Sequence, residues 1–339
     1  MTKEPTRKPP TAEKCACSKT ARSVPLRPEA LLGIHRRAST KSSLRLPKRP
    51  QSSCIPATRP RCVALSERRN LASSILVGPG ARISAVAQKH GINIDRYELV
   101  DAPHSEAAAA KAVELIRESR GELLMKGSLH TDELMRAVTS ATTGLRTARR
   151  ISHVFIMDVP THTETLFITD AAINIFPDLE AKRDIVQNAI DLFTHGGLGT
   201  PRVAILSAVE TVTPKIPSTI EAAALCKMAE RGQITGGILD GPLAFDNAIS
   251  PQAAQIKGIK SAVAGHAQIL VVPDLEAGNM LAKNLTFLAK ADAAGIVLGA
   301  RVPIVLTSRA DSVRSRMASC AVAVLEADAR RKTSPLPAA

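Results

Sequence analysis

From Ser74 onward the chain alternates two hydrophobic rhythms. Short aliphatic or β-branched runs, bounded by Gly, Pro or Asp, give way to Ala-rich stretches whose apolar positions recur three and four residues apart. The runs predict strands at 74–78, 96–101, 122–126, 151–158, 164–169, 202–207, 234–240, 268–273, 294–298 and 302–307. The stretches predict helices over 80–90, 104–119, 130–140, 179–195, 217–231, 251–257, 277–290 and 311–330. Ser218 followed by Glu221 has the form of a capping box, whereas Thr131 is followed by Leu134 where a box needs Glu or Gln. Strand–helix repeats with short links make an α/β protein with mostly parallel sheets and flanking helices. Right-handed crossovers then gather strand C-termini on one edge, where open sheets bind ligands. One link departs from this: only about five residues separate the strands 151–158 and 164–169, a hairpin-scale distance that predicts one antiparallel excursion.

Before Ser74 this rhythm is absent. Residues 1–73 hold 17 Lys and Arg against four acidic residues, so they carry +13 of the chain's net +14. They also hold nine of the 22 prolines and four of the six cysteines. Such a segment buries too little apolar surface to offset its chain entropy, and no regular structure is expected there or in the tail 331–339. The remainder is near neutral, and the basic stretch has no Trp, Tyr or Phe for base stacking, so nucleic acid is not an expected partner. Cys15 and Cys17 are too close for a metal knuckle and Cys54 and Cys62 form no second tight pair. The histidines show no ligand spacing either, and no metal is expected. Cys226 and Cys320 sit in apolar helical patterns and read as buried thiols in a reducing compartment. No apolar run reaches the roughly 18–20 residues of a membrane span. The opening MTKEPTRKPP lacks a secretory core. An Arg- and Ser-rich start suits an organellar transit peptide, but Glu4, Glu13 and Glu29 oppose it, and a cytoplasmic protein is the simplest expectation.

Candidate chemistry gathers where predicted strands end. In ILDGPLAFD, Asp240, Gly241 and Pro242 follow a strand and Asp246 comes six residues after Asp240. A glycine lets backbone approach a ligand, and carboxylates can position a thiol or hydroxyl; a strand-ending turn with a helix cap is the alternative. VVPDLEAGNMLAK repeats the arrangement with Asp274, Gly278 and Asn279 at a helix entrance, a place that suits an anion but is also an ordinary connection. VLTSRADS puts Ser308 and Arg309 after an apolar strand and before the last helix. The planar guanidinium fork matches phosphate oxygens and the hydroxyl can bond a reacting atom, while Asp311 or Ser312 serves equally as an N-cap. LLMKGSLHTDELMRA leaves Lys126 and Gly127 at a strand end, with Arg136 on the following helix, for phosphate, pyrophosphate or solvent. His153, inside a strand pattern, reads as a core imidazole. No G-x-G-x-x-G joins a strand to a helix with an acidic residue at the required distance, which argues against a dinucleotide-dependent redox enzyme.

Taken in order, SILVGPGARI, DAPHSEAAAAKAV, LMKGSLHTDELMRAV, GLRTARRISHVFIMD, ILDGPLAFDNAIS, VVPDLEAGNMLAKNL and IVLTSRADS resemble the phosphate acetyl/butyryltransferase family over nearly all of 74–326. The likeness is to the short, butyryltransferase-type branch, including forms fused behind an enoyl-CoA hydratase domain. It implies a two-domain subunit resembling isocitrate and isopropylmalate dehydrogenases, with residues 74–150 plus 296–330 in one unit and 151–295 inserted as the other. It also implies a homodimer, and coenzyme A as a substrate with no tightly bound cofactor. In the implied reaction the coenzyme A thiolate attacks an acyl phosphate directly, so acyl-CoA and phosphate are the partners. Ser308 is then placed to stabilise the thiolate or transition state and Arg309 to hold the phosphoryl group. The base used in the acetyl branch has Ser315 at its position here, which makes Asp311 the nearest carboxylate. Lys126, Gly127, Asp240, Gly241, Pro242, Asp274, Gly278 and Asn279 complete the candidate substrate-binding set.

Family members carry a further strand and helix before SILVG, where this chain has the stretch ending RPRCVALSERRNLAS, as an altered reading frame or start would produce. The expectation is a first domain short of one strand, with an unpaired edge. An alternative follows: a catalytically impaired member that still binds coenzyme A or a partner.

Overall fold

The computed structural model describes residues 51–54, 74–306 and 311–333. Its strands are β1 (Gln51–Cys54), β2 (Ser74–Gly78), β3 (Glu98–Asp101), β4 (Leu124–Met125), β5 (Ser152–Asp158), β6 (Leu166–Thr169), β7 (Arg202–Leu206), β8 (Ile238–Leu243), β9 (Ile269–Val271), β10 (Asp292–Leu298) and β11 (Ile304–Val305). All join one sheet in the order β3-β2-β1-β4-β11-β10-β5-β6-β9-β7-β8. The five strands from β3 to β11 are mutually parallel. So are β6, β9, β7 and β8. Between these groups lie antiparallel contacts of β10 with β11 and with β5, and of β5 with β6. Three antiparallel pairs therefore replace the single excursion expected. The two parallel groups run in opposite senses, so strand C-termini fall on two opposite edges rather than on one.

One further expectation is corrected. The basic segment supplies β1, whose place between β2 and β4 leaves no gap there. Alternation and composition could not reveal it, because QSSC has neither an apolar face nor β-branched residues. β10 pairs with β5 along all seven of its residues, from Asp292↔Asp158 to Leu298↔Ser152. The two connections between the halves run side by side: Arg301 N–H donates to the Leu145 carbonyl at 2.9 Å, and Thr147 Oγ1 donates to the Gly299 carbonyl at 2.6 Å. Gly299 has φ +82°, and a Cβ there would lie 2.2 Å from the Arg150 carbonyl oxygen, so only glycine fits.

Helices cover both faces. Ser105–Arg117 buries Ala108, Ala109, Ala112, Val113, Leu115 and Ile116, a continuous helical stripe, against Ile75, Val77 and Leu124. The last helix, Val313–Thr333, packs Cys320, Ala323 and Val324 on Ile156, Ala294 and Ile296, in a core shared with Val186 and Ile190 of the helix Leu179–His195. The helix Leu275–Phe287 places Ala282 among Met157, Leu166 and Leu270. Fully burying each large aliphatic side chain contributes about 1.5–3 kcal/mol. The capping expectations shift by a residue or two. The helix at 217 starts with Pro217 behind Ile216, so Ser218 is no cap: its hydroxyl bonds Ser207 Oγ at 2.9 Å, and Glu221 pairs with Lys182. The helix at 131 is closed instead by Glu133, whose Oε2 accepts from His130 N–H at 2.8 Å. Among the described residues no helix is long and apolar enough to cross a membrane.

Candidate active site

Lys126 and Gly127 stand where β4 and β11 end side by side. The strands are parallel neighbours in register Leu124↔Ile304 and Met125↔Val305, and Lys126 N–H extends the pairing to the Val305 carbonyl at 2.9 Å. The chain thus leaves both strands side by side. Lys126 is buried, 6 % exposed, and Gly127 beside it is buried too. A buried ammonium requires acceptors or negative charge close by. Ser308 and Arg309 lie outside the described residues. Asp311 is half-buried and leads into the last helix. There Ser312 Oγ accepts from Ser315 N–H at 3.0 Å and pairs with Ser315 Oγ at 3.0 Å. Ser315 is therefore engaged in the cap of the helix and is a poor general base.

Neighbouring groups at this edge are closed by their own side chains. Asp101, the last residue of β3, accepts from Gly80 N–H at 2.7 Å and fixes the Gly-Pro-Gly turn at the end of β2. Glu133 fills the entrance of the helix Thr131–Thr139. Its carboxyl is held below the usual carboxylate range by the His130 N–H first and by Ser105 Oγ second, the latter at 2.8 Å. Arg136 points outward and pairs with Glu106 at 3.2 Å.

The other candidates belong to the second half of the sheet. Asp240, Gly241 and Pro242 lie inside β8 rather than after it, and Asp240 Oδ1 accepts from Gly241 N–H at 2.8 Å. A Cβ at Gly241 would meet Ile205 Cβ and its carbonyl oxygen at 2.8 Å, so this glycine serves close packing on β7. Asp274 caps the helix Leu275–Phe287 through Ala277 N–H at 2.8 Å. Gly278 and Asn279 dock that helix on the turn after β6. A Cβ on Gly278 would lie 2.7 Å from Val272 Cγ2 and 3.0 Å from Ala171 Cα, and Asn279 Nδ2 donates to the Ala171 carbonyl at 3.2 Å. Between β4 and β8 the sheet order counts seven strand spacings, roughly 30 Å at about 4.8 Å each. The structure thus puts Lys126 and Gly127 at the end of β4 beside the end of β11, Asp274, Gly278 and Asn279 at another place, and Asp240 to Pro242 on the far strand.

Sequence reasoning passed over the turn they dock on. Asp170 is buried and accepts from the N–H groups of Ala172, Ile173 and Asn174 at 2.9, 3.0 and 3.2 Å, and from Asn174 Nδ2 at 2.6 Å. Burial raises its carboxyl above the usual range, and these bonds oppose the rise. Asn174 in turn accepts from Arg150 Nε at 2.7 Å. The available signal was an Asp and an Asn four residues apart directly after a strand. His153 is buried, and burial pushes its imidazole down to about 3, leaving it neutral. Gly295 makes room for it, since a Cβ there would sit 2.9 Å from Nε2. Burial pushes the Cys226 thiol up to about 12, so it is inert at neutral pH. Among the described residues no His, Cys, Asp and Glu cluster of three or more is arranged to hold a metal.

Comparison with known proteins adds the chemistry. The family model described as phosphate acetyl/butaryl transferase matches residues 104–324. A phosphate acetyltransferase of Rhizobium meliloti is 79% identical over 261 residues, covering 77% of this chain and 83% of that protein. A phosphate butyryltransferase of Clostridium acetobutylicum is 42% identical over 262 residues, 77% of this chain and 87% of that one. Among solved structures, a branched-chain phosphotransacylase from Enterococcus faecalis V583 superposes with a TM-score of 0.72 at 27% identity, over 82% of this chain and 99% of the other. With the strand ends of β4 and β11 adjacent and the match running from the helix after β3 into the last helix, the chain belongs to the phosphate acetyl/butaryl transferase family.

Proposed function

We infer that this chain transfers a short acyl group between coenzyme A and inorganic phosphate. Family membership supports the reaction, and the adjacency of Lys126 to the end of β11 supports the placing of the site. In the acyl phosphate direction the thiolate sulfur of coenzyme A forms a C–S bond to the carbonyl carbon, and the C–O bond to phosphate breaks. Inorganic phosphate leaves with the electron pair. Ser308 donates a hydrogen bond to the developing negative charge, Arg309 holds the phosphoryl oxygens in a bidentate fork, and Lys126 adds a second positive charge from the neighbouring strand end. Gly127 lets the substrate approach the backbone beside Lys126. Asp311 takes the thiol proton. A thiol of ordinary pKa near 8.5 needs little help, so a carboxylate is base enough. The reading uses coenzyme A as a substrate and needs no tightly bound cofactor.

β1, in place between β2 and β4, supports an active enzyme over an impaired one. We read residues 74–150 with 296–330 as one unit and 151–295 as the other, the crevice between them holding the substrates. A homodimer is supported by exposed Met280 and Phe287 on the helix Leu275–Phe287, with Leu288, Ile175 and Phe176 exposed nearby. The free thiols Cys226 and Cys320 suit a reducing cytoplasm. The test is release of free thiol from acetyl-CoA or butyryl-CoA by the purified chain, with and without inorganic phosphate. Phosphate-dependent release is expected, and a folded sample without it overturns the reading.

A further inference from the structure

Three exposed arginines gather where the chain crosses between the halves. Arg146 is bridged to Ala300, the main chain of Arg150 lies against Gly299, and Arg301 N–H donates to the Leu145 carbonyl. Among the described residues none of the three pairs with a carboxylate, whereas Arg149 pairs with Asp191 at 3.1 Å. Asp184 Oδ2 accepts from Arg150 N–H at 2.8 Å, and the charge of that carboxylate is met by Arg183 at 2.9 Å. The junction is therefore locally positive.

One of the three is built into place. Arg150 Nε donates to Asn174 Oδ1 at 2.7 Å. Asn174 is 4 % exposed, and its Nδ2 donates to the Ile151 carbonyl at 2.9 Å and to Asp170 Oδ2 at 2.6 Å, which fixes the amide in one orientation. Asp170 is held in turn by three N–H groups of the same turn. That turn spans the junction, with Ile173 packed against the core of the first half and Ala171 buried in the core of the second. Asn188 Nδ2 holds the Arg150 carbonyl at 2.9 Å. The guanidinium is thus anchored through Nε. Its two Nη groups, which form a bidentate fork for tetrahedral oxyanions, have no partner among the described residues. A solvated surface arginine needs no such support, whereas a binding group is held in its working orientation by the residues behind it.

We propose that Arg150 is a phosphate-binding residue whose fork takes a tetrahedral phosphate group at the junction of the halves, from coenzyme A or from free inorganic phosphate. Arg146 and Arg301 add positive potential, and Asp170 and Asn174 act by positioning. The fork edge matches two phosphate oxygens, which a lysine, a point charge on a flexible stem, does not.

This inference rests on the acyl-transfer reading, and the two fail separately. In steady-state kinetics with acetyl-CoA and phosphate, Arg150→Ala should raise KM for at least one substrate about tenfold or more, with kcat within about threefold, as loss of one charge-assisted pair predicts. A rise for acetyl-CoA assigns the bound group to coenzyme A, and a rise for phosphate assigns it to the free anion. Arg150→Lys should stay at least about threefold above the parent chain in the same KM. Should Arg150→Ala not fold, as judged by its melting curve, Arg150→Gln replaces it under the same criteria. A parent chain without phosphate-dependent turnover sinks the acyl-transfer reading. Titration calorimetry with coenzyme A and with inorganic phosphate then takes over, and Arg150→Ala should weaken one of the two at least about tenfold. Arg150 is not a phosphate-binding residue if the folded variant keeps both KM values within twofold or loses only kcat, or if Arg150→Lys matches the parent. Equal binding by parent and variant in calorimetry, or none by the parent, overturns it as well.

Discussion

The two halves of the sheet end their strands differently. On the β4–β11 edge a buried lysine stands where two parallel strands stop together, and the chain goes on through Ser308 and Arg309. In the other half, the polar residues at and near strand ends bond the backbone around them: Asp274 holds Ala277 N–H, Asp240 holds Gly241 N–H, and Asn279 holds the Ala171 carbonyl. The sequence strings look alike, each a strand followed by Asp, Gly or Ser. In the second half a local N–H or C=O has already taken the side chain, and a carboxylate so engaged is poorly available for substrate.

The sharpest way to break this comparison is at Arg309 and Lys126. Arg309→Ala is expected to lower kcat/KM at least about a thousandfold, and Lys126→Met about a hundredfold, through loss of positive charge at the developing phosphate. Thiol-release kinetics on folded variants measure both, and near-normal values for Lys126→Met would place the chemistry elsewhere. Next comes Gly278→Val. Its Cβ would stand 2.7 Å from Val272 Cγ2 and 3.0 Å from Ala171 Cα, so overpacking should destabilise the fold by about 1–3 kcal/mol in urea titration. Asp274→Ala removes a helix cap and should cost about 1 kcal/mol. A fall in turnover beyond the fall in folded protein would show that Asp274 meets substrate after all.

The smallest effect concerns the tie between the halves. His195, at the end of the helix Leu179–His195, bonds Glu326 Oε2 at 2.9 Å, and Arg330 holds the other oxygen at 2.6 Å while donating to the Ala300 carbonyl at 2.8 Å. Hydrogen bonding to Glu326 raises the imidazole above its usual value; Asp191 adds to the rise, and burial and Arg330 oppose it. The sign follows: the protonated pair contributes fully below about pH 6.5, and its contribution is lost as pH rises through the higher folded value. His195→Gln should flatten that slope, by under about 1 kcal/mol, in melting curves from pH 5.5 to 8.5.

Much of this was legible from residue order. Ala108, Ala109 and Ala112 recur at helical spacing, and SILVG and ISHVFIMD are apolar runs bounded by breakers, so the helix after β3 and the strands β2 and β5 were placed to within a residue or two. β8 was misplaced by three to four residues because Gly236 and Gly237 precede it and Asp240 to Pro242 look like a turn. In three dimensions the glycine is needed for contact with Ile205. QSSC gave no sign of a strand, since its pairing depends on two neighbours distant in sequence.

By itself, the sequence determined the class of fold and the family, because period, breakers and motif order are local properties of a chain. Only the tertiary structure decided which strand ends face the same way, that Ser315 is taken up by a cap, and that Asn174 holds the Arg150 guanidinium at the junction of the halves. Strand direction and hydrogen-bond partnership are settled between residues far apart in sequence, by which packing leaves the fewest buried polar groups unpaired.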